Sequence, residues 1–207
     1  MNGEVSLWRL PRSGSTMLWR CYEAAGVVPD QGGTAHTIFT PKALPLVVTI
    51  RDFRDVALSQ TRCFCGIGDL DGGIRTTLFR LWMLSIMVDE NPSAVVWRYE
   101  DHYRKPDAMA RFVANTAGVN ITPDIAKTIE TIVSPERAAW LADSVLVLEK
   151  HRCRPFMSYD RDSHIHHGHL GPQKGEPEAW RNESKDVRDL LNRNLAEHLE
   201  RWGYAVE

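Results

Sequence analysis

Val5-Ser6-Leu7-Trp8-Arg9-Leu10-Pro11-Arg12-Ser13-Gly14-Ser15-Thr16-Met17-Leu18-Trp19-Arg20 is the stretch on which the fold turns. Val5 to Leu10 is a short β-prone run, and Pro11 to Thr16 is rich in turn formers. Met17 to Ala25 follows with helical patterning and stops at Gly26 and Pro29. The chain thus opens as strand, tight loop, helix. Such a loop presents free backbone N–H groups and the positive end of a helix dipole, which suits an anion. Gly14 permits close backbone approach, Ser13, Ser15 and Thr16 add hydroxyl donors, and Arg12 adds a planar cationic fork. The G-x-x-x-x-G-K-[ST] pattern of nucleotide triphosphatases is absent: the loop has one glycine and no Gly-Lys pair.

Outward from that unit, strands and helices alternate. Leu46-Val47-Val48-Thr49-Ile50 is a continuous apolar, β-branched run, the pattern of a strand buried on both faces. A helix is expected from Arg54 to about Thr61, a loop over Gly66–Gly73, and an apolar helix over Ile74–Val88 that ends near Asn91-Pro92. Ala94–Arg98 reads as a third strand. Pro106–Ala117, Pro123–Val133 and Pro135–Lys150 each begin with proline at the first helical turn. Residues 151–183 read as loop, and Ser184 caps a last helix ending near Trp202-Gly203. This alternation predicts an α/β fold: one domain over residues 1–207, with a parallel sheet flanked by helices on both faces. Trp8, Trp97, Trp140 and the Trp82, Met83, Met87 run are expected in the core.

Composition narrows the function classes. The 207 residues carry a net charge of −2, with 43% hydrophobic and 25% charged residues. No basic stripe interleaved with aromatics points to nucleic acid, and no apolar run is long enough to span a bilayer. Met1–Leu10 holds no long apolar segment of a secretory signal. The four cysteines form no C-x-x-C pair, so reduced thiols and a cytoplasmic location are expected. His164, His166, His167 and His169 cluster without a Cys or Glu at a familiar ligand spacing. A loop over the active site is the preferred reading, and no metal is expected.

The second chemical motif is Ile50-Arg51-Asp52-Phe53-Arg54-Asp55-Val56-Ala57-Leu58-Ser59. Arg51 ends the second strand, at the edge where open parallel sheets bind ligands. Taken alone, these charges also fit a surface lattice of Arg and Asp at a helix start.

Together the motifs resemble the sulfotransferases that use 3′-phosphoadenosine-5′-phosphosulfate (PAPS). Pro11–Thr16 resembles the family's 5′-phosphosulfate loop, and Arg51 with Ser59 resembles its 3′-phosphate motif. Trp97-Arg98-Tyr99-Glu100-Asp101 is similar to its "RYED" segment. Lys174-Gly175, with Trp180-Arg181-Asn182, resembles its C-terminal K-G-x-x-G-x-W-[KR]-N motif. The four segments occur in the family's order. The resemblance implies a P-loop NTPase-like sulfotransferase architecture with a lid-like loop over about 151–183. It also implies roles: Arg12 and Ser13–Thr16 around the phosphosulfate, Met17 beside them, Arg51 and Ser59 on the 3′-phosphate, Tyr99 lining the nucleotide site, Lys174 and Gly175 closing over that phosphate. PAPS is then the donor, 3′-phosphoadenosine-5′-phosphate (PAP) the product, and a hydroxyl or amine on a small molecule or glycan the acceptor.

This chain departs from the family at several positions. Arg12 stands where many cytosolic members carry Lys, and Met17 where an aromatic is common. Gln173 and Glu178 replace the usual Arg and second Gly of the C-terminal motif. His36 is the candidate base, since its unperturbed pKa suits proton abstraction near neutrality. Glu23 or an acid of residues 66–73 is the alternative base. Two other functions stay open at this point: a P-loop-type kinase for a small molecule, and a nucleotide-binding module without catalysis.

Overall fold

The computed structural model describes residues 4–30, 45–63, 69–146, 165 and 175–207. Three parallel strands form the sheet: β1 (Ser6–Arg9), β2 (Leu46–Ile50) and β3 (Val95–Arg98), in the order β1-β2-β3. Ser6 pairs with Leu46 and Val47 with Val95, so β2 is the central strand. All five of its residues are buried, as its unbroken apolar run requires. Helices α1 (Ser15–Ala24), α2 (Phe53–Cys63), α3 (Leu70–Glu90), α4 (Tyr99–His102), α5 (Pro106–Ala117), α6 (Pro123–Val133), α7 (Pro135–Ser144) and α8 (Lys185–Arg201) complete the described elements, with a 3₁₀ turn at Ala179–Asn182.

The two-residue period of the strands divides the core between the sheet's faces. Trp8, Leu10, Leu46, Val48 and Ile50 pack with Phe53, Leu81, Leu84, Leu191 and Leu195 from α2, α3 and α8. Leu7, Val47 and Trp97 pack on the opposite face with Leu18, Tyr22, Met109, Val113 and Ile129 from α1, α5 and α6. Helices therefore cover both faces, as the alternation of elements predicts.

Several boundaries differ from the expected ones. α3 begins at Leu70, so Gly72 and Gly73 are helical rather than loop. Asp69 caps the helix by accepting from the Asp71 N–H at 3.0 Å. Gly73 serves packing: a Cβ there would lie 2.1 Å from Thr61 Oγ1 and 2.8 Å from the Ala57 carbonyl, so only glycine admits α2 so closely. α7 stops at Ser144, short of Lys150, because Val145 leaves the helical region. The 3₁₀ turn lies inside the segment expected to be loop. Trp8 and Trp97 are buried, but Trp82 is 56% and Trp140 is 55% exposed. Trp82 sits with Phe79 on the outer face of α3, and the Arg137 guanidinium covers Trp140 at 4.0 Å. Among the described residues no helix is long and apolar enough to cross a membrane.

Candidate active site

The C-terminal edge of the parallel sheet gathers the site. The loop after β1 is held down from below: Ser13 is fully buried, and its hydroxyl meets the Leu10 carbonyl (2.5 Å) and Thr49 Oγ1 (2.7 Å). Thr49 also accepts from the Leu10 N–H at 3.1 Å. This corrects the expectation that Ser13 offers its hydroxyl to an anion; that hydroxyl anchors the loop to β2. Arg12 and Gly14 both adopt left-handed backbone, with φ of 71° and 78°. For arginine this is strain of about 1–3 kcal/mol, the kind that gathers at functional sites. No side chain caps α1 at its start. The N–H groups of its first turn, beginning at Ser15 and Thr16, therefore have no capping side chain, as an anion site requires.

Arg12 reaches across to α2, where its Nε donates to Ser59 Oγ at 2.8 Å. The first two motifs, 47 residues apart, thereby meet. The third enters through Gly14: a Cβ there would stand 2.3 Å from Tyr99 Cδ2 and 2.6 Å from Tyr99 Cε2, with Trp97 behind. The missing side chain lets the loop rest on the Tyr99 ring. The Arg51 guanidinium lies over that ring at 4.7 Å. Tyr99 is buried, and its hydroxyl donates to the Gly175 carbonyl at 2.8 Å. Burial pushes its pKa up, so the phenol keeps its proton.

Arg51 is nearly buried, with Nη2 donating to Asp55 Oδ2 (3.0 Å) and to the Glu176 carbonyl (2.9 Å). Burial opposes its charge, but Asp55, Tyr99 and Glu100 outweigh that and raise its pKa. Its Nε is buried with no hydrogen-bond partner among the described residues. Burial also pushes Asp55 up, against the pull of Arg51.

Beside Arg51, the charges Asp52 and Arg54 are buried, which excludes the surface lattice. Arg54 forks onto Asp52 at 2.9 and 2.7 Å and reaches Asn192 of α8 at 2.7 Å. Trp180 closes the network: its indole N–H donates to Asp52 (3.1 Å), its backbone N–H to Asp55 (2.9 Å), and Arg54 stacks on its ring at 3.7 Å. Glu100, raised by burial, accepts from the Asp52 N–H (2.7 Å) and the Tyr204 hydroxyl (3.1 Å). Glu178 has φ 59°, the left-handed backbone that a glycine adopts freely.

Two functional features escaped the sequence reading. One is this network, whose only local signal was the charge density of residues 51–55. The other is Arg80, 6% exposed on α3. Burial lowers its pKa, and the charge of Arg12 lowers it further. Its signal was an arginine interrupting the apolar run Leu78–Val88. Glu23 is exposed in the last turn of α1, about 12 Å along the helix from Ser15 at 1.5 Å per residue, which removes it as a base. Asp69 caps α3, accepting from the Asp71 N–H, and its carboxylate lies 3.8 Å from Arg75. Met17 is half-buried on α1. His36, Lys174, Gln173 and the cluster His164, His166, His167 and His169 lie outside the described residues.

The comparison with solved structures matches this geometry at the level of the fold. The chain superposes on the crystal structure of mouse sulfotransferase SULT7A1 complexed with PAP, with a TM-score of 0.62. The fold is that of a sulfotransferase. The match covers 95% of this chain and 84% of that one at 11% identity. No protein-family model and no curated protein matches the sequence. The likeness to that neighbour is therefore one of fold.

Proposed function

We propose that this protein is a PAPS-dependent sulfotransferase acting on a hydroxyl or amine of a small molecule or glycan. The observation that carries the reading is the convergence of Arg12–Ser59 and Arg51–Tyr99–Gly175 at one sheet edge, 2.8 Å contacts joining each set. A donor with an anion at each end of its ribose needs a cation for each, which Arg12 and Arg51 would supply, with Ser59 between the two motifs. The fold neighbour complexed with PAP supports the same assignment.

The residues fit the nucleotide. Gly14 lets the loop lie directly against the Tyr99 ring, and the buried Nε of Arg51 is a donor with no acceptor among the described residues. Arg12, Gly14, Ser15 and Thr16 would hold the phosphosulfate. Arg51 and Ser59 would hold the 3′-phosphate, and Lys174 and Gly175 would close over it. Bound, the donor supplies a sulfuryl group on a phosphate–sulfate anhydride: the acceptor oxygen bonds to sulfur, the bridging S–O bond breaks with its electron pair leaving on phosphate, and the acceptor's proton passes to a base. Arg12 remains protonated throughout, so its role is to stabilise charge rather than to donate a proton. The uncapped N–H groups of α1 add fixed dipoles that need no reorganisation. His36 is the proposed base. A kinase reading lacks the Gly-Lys pair that grips a triphosphate, and one domain over 1–207 working in the cytoplasm accommodates the sulfotransferase reading.

Calorimetric titration with PAP, ATP and AMP tests the proposal. PAP should bind, ATP and AMP should bind at least about tenfold more weakly, and Arg51→Ala or Ser59→Ala should remove that preference. Equal affinity for PAP and AMP would overturn the donor assignment and favour a kinase.

A further inference from the structure

α8 ends in Trp202-Gly203-Tyr204, and the way it ends brings an aromatic ring to the edge of the sheet. Gly203 adopts left-handed backbone, with φ 72°. Its N–H donates to the Glu200 carbonyl at 3.0 Å, and the Tyr204 N–H donates back to the Leu199 carbonyl at 2.8 Å. These two bonds make a Schellman turn, which stops the helix and turns the chain aside. Tyr204 is thereby laid against the turns that follow β2 and β3. Phe53 meets its ring edge-on at 5.5 Å, and the Arg98 guanidinium lies over it at 4.4 Å. Arg98 Nη2 also donates to the Trp202 carbonyl, so one side chain holds both the ring and the helix end.

The Tyr204 hydroxyl meets a carboxylate that is shared. Glu100 Oε2 accepts from that hydroxyl at 3.1 Å, and Glu100 Oε1 accepts from the Asp52 N–H at 2.7 Å. Along the chain, Glu100 follows Tyr99 and Asp52 follows Arg51. The carboxylate therefore staples the residue after Arg51 to the residue after Tyr99. Those two neighbours are the cation and the ring that stack at 4.7 Å in the proposed 3′-phosphate site. Arg51 itself bonds to Asp55 and the Glu176 carbonyl, so the staple reaches it through the backbone. Hydrogen bonds to an ionised acceptor are short and directional, and two of them on separate oxygens leave the carboxylate little freedom.

We propose that Tyr204 is a positioning residue for the donor's 3′-phosphate, acting through Glu100 to set Arg51 against the Tyr99 ring. The inference rests on the sulfotransferase reading above and adds to it a side chain from beyond the last helix. Removing the hydroxyl leaves one oxygen of Glu100 without that donor and frees the carboxylate to turn. The Asp52 N–H then loses a fixed acceptor, and the guanidinium beside it loses its fixed place. Preorganisation of this kind is worth affinity because the site is not ordered at the ligand's expense.

PAP carries the 3′-phosphate and AMP does not, so the ratio of their affinities isolates this end of the site. Both are titrated by calorimetry into wild type, Tyr204→Phe, Glu100→Gln, Glu100→Ala, Arg51→Ala and the double variant Arg51→Ala/Tyr204→Phe. Tyr204→Phe keeps the ring and should weaken PAP by about threefold to tenfold while AMP stays within about twofold. In the Arg51→Ala background the same change should move PAP by less than about twofold, because the residue it positions is gone. Glu100→Gln can still accept from the Asp52 N–H and donate to Tyr204, so it should keep most of the preference for PAP, whereas Glu100→Ala should lose it. Tyr204→Phe carries the test by itself if Glu100→Ala folds poorly. Equal weakening of PAP and AMP in Tyr204→Phe would mean a merely structural role and overturn the proposal, as would the same PAP loss with and without Arg51. A preference lost as far in Glu100→Gln as in Tyr204→Phe would assign the effect to charge rather than position, again overturning it. If wild type and Tyr204→Phe prefer PAP alike, the donor assignment stands and Tyr204 alone leaves it. A wild type that does not distinguish PAP from AMP would fail the donor assignment, and this inference with it.

Discussion

Replacing Gly14 by alanine probes the contact on which the site's geometry depends. The backbone there has φ 78°, which disfavours an L side chain by about 1–2 kcal/mol. The new Cβ would also lie 2.3 Å from Tyr99 Cδ2, where ordinary contact is 3.4–4 Å, so the ring must retreat by more than an ångström. Tyr99 has little room to do so. Its hydroxyl is tied to the Gly175 carbonyl at 2.8 Å, its face carries Arg51 at 4.7 Å, and Trp97 stands edge-on at 6.2 Å. Overpacking of this kind adds about 1–3 kcal/mol, so Gly14→Ala should destabilise the protein by about 2–5 kcal/mol in total. Urea unfolding of wild type, Gly14→Ala, Tyr99→Ala and the double variant separates the two causes. In the Tyr99→Ala background the clash is gone, and Gly14→Ala should cost only the backbone share, about 1–2 kcal/mol. PAP affinity of Gly14→Ala should fall at least about tenfold, since the ring that supports Arg51 is displaced. A single variant within about 0.5 kcal/mol of wild type would refute the argument, as would an equal cost in both backgrounds.

Asp52→Asn leaves Arg54 without its carboxylate in a site where both side chains are 3% exposed, and should cost about 3–5 kcal/mol in chemical unfolding. Asp189→Asn, which removes the exposed pair with Lys185, should leave stability essentially unchanged; similar losses for the two would contradict the burial argument. His102 is buried against Trp97, its Nδ1–H donating to the Arg98 carbonyl at 2.8 Å, and burial lowers its pKa. A lowered folded-state value means that its contribution is present above the unfolded value of 6.5 and is lost as pH falls through the folded one. The melting temperature of wild type should therefore drop more than that of His102→Phe between pH 7 and pH 5, and parallel curves would remove His102 from the account.

Much of the fold was legible because it obeys local rules. The run Leu46–Ile50 is β2, and the proline-first segments Pro106–Ala117 and Pro123–Val133 are α5 and α6, residue for residue. Ser184 caps α8 by accepting from the Val187 N–H, as its position suggested. The failures share a cause in distant contacts. Gly72-Gly73 reads as loop by propensity, but Gly73 is helical because α2 passes where its side chain would be. Trp140 reads as core by type, yet its face is covered only by Arg137. Asp52 and Arg54 read as surface charges because their partners, Trp180 and Asn192, come 128 and 138 residues later. Arg12, Arg51, Ser59 and Tyr99 were legible as candidates, but no spacing rule reveals that Ser13 turns its hydroxyl inward onto Thr49.

The buried charges of the site fall into kinds that differ in what removing each would do. Asp52 and Arg54 neutralise each other, and every contact they make is to the protein, so their purpose is to bind the C-terminal segment to the turn after β2. Arg51 differs. Asp55 balances its charge, but Nε faces no acceptor among the described residues, an unsatisfied donor that an anion would relieve. Stability and binding should therefore part along the edge: neutralising Asp52 weakens the fold, whereas Arg51 carries the charge whose removal an anion would register.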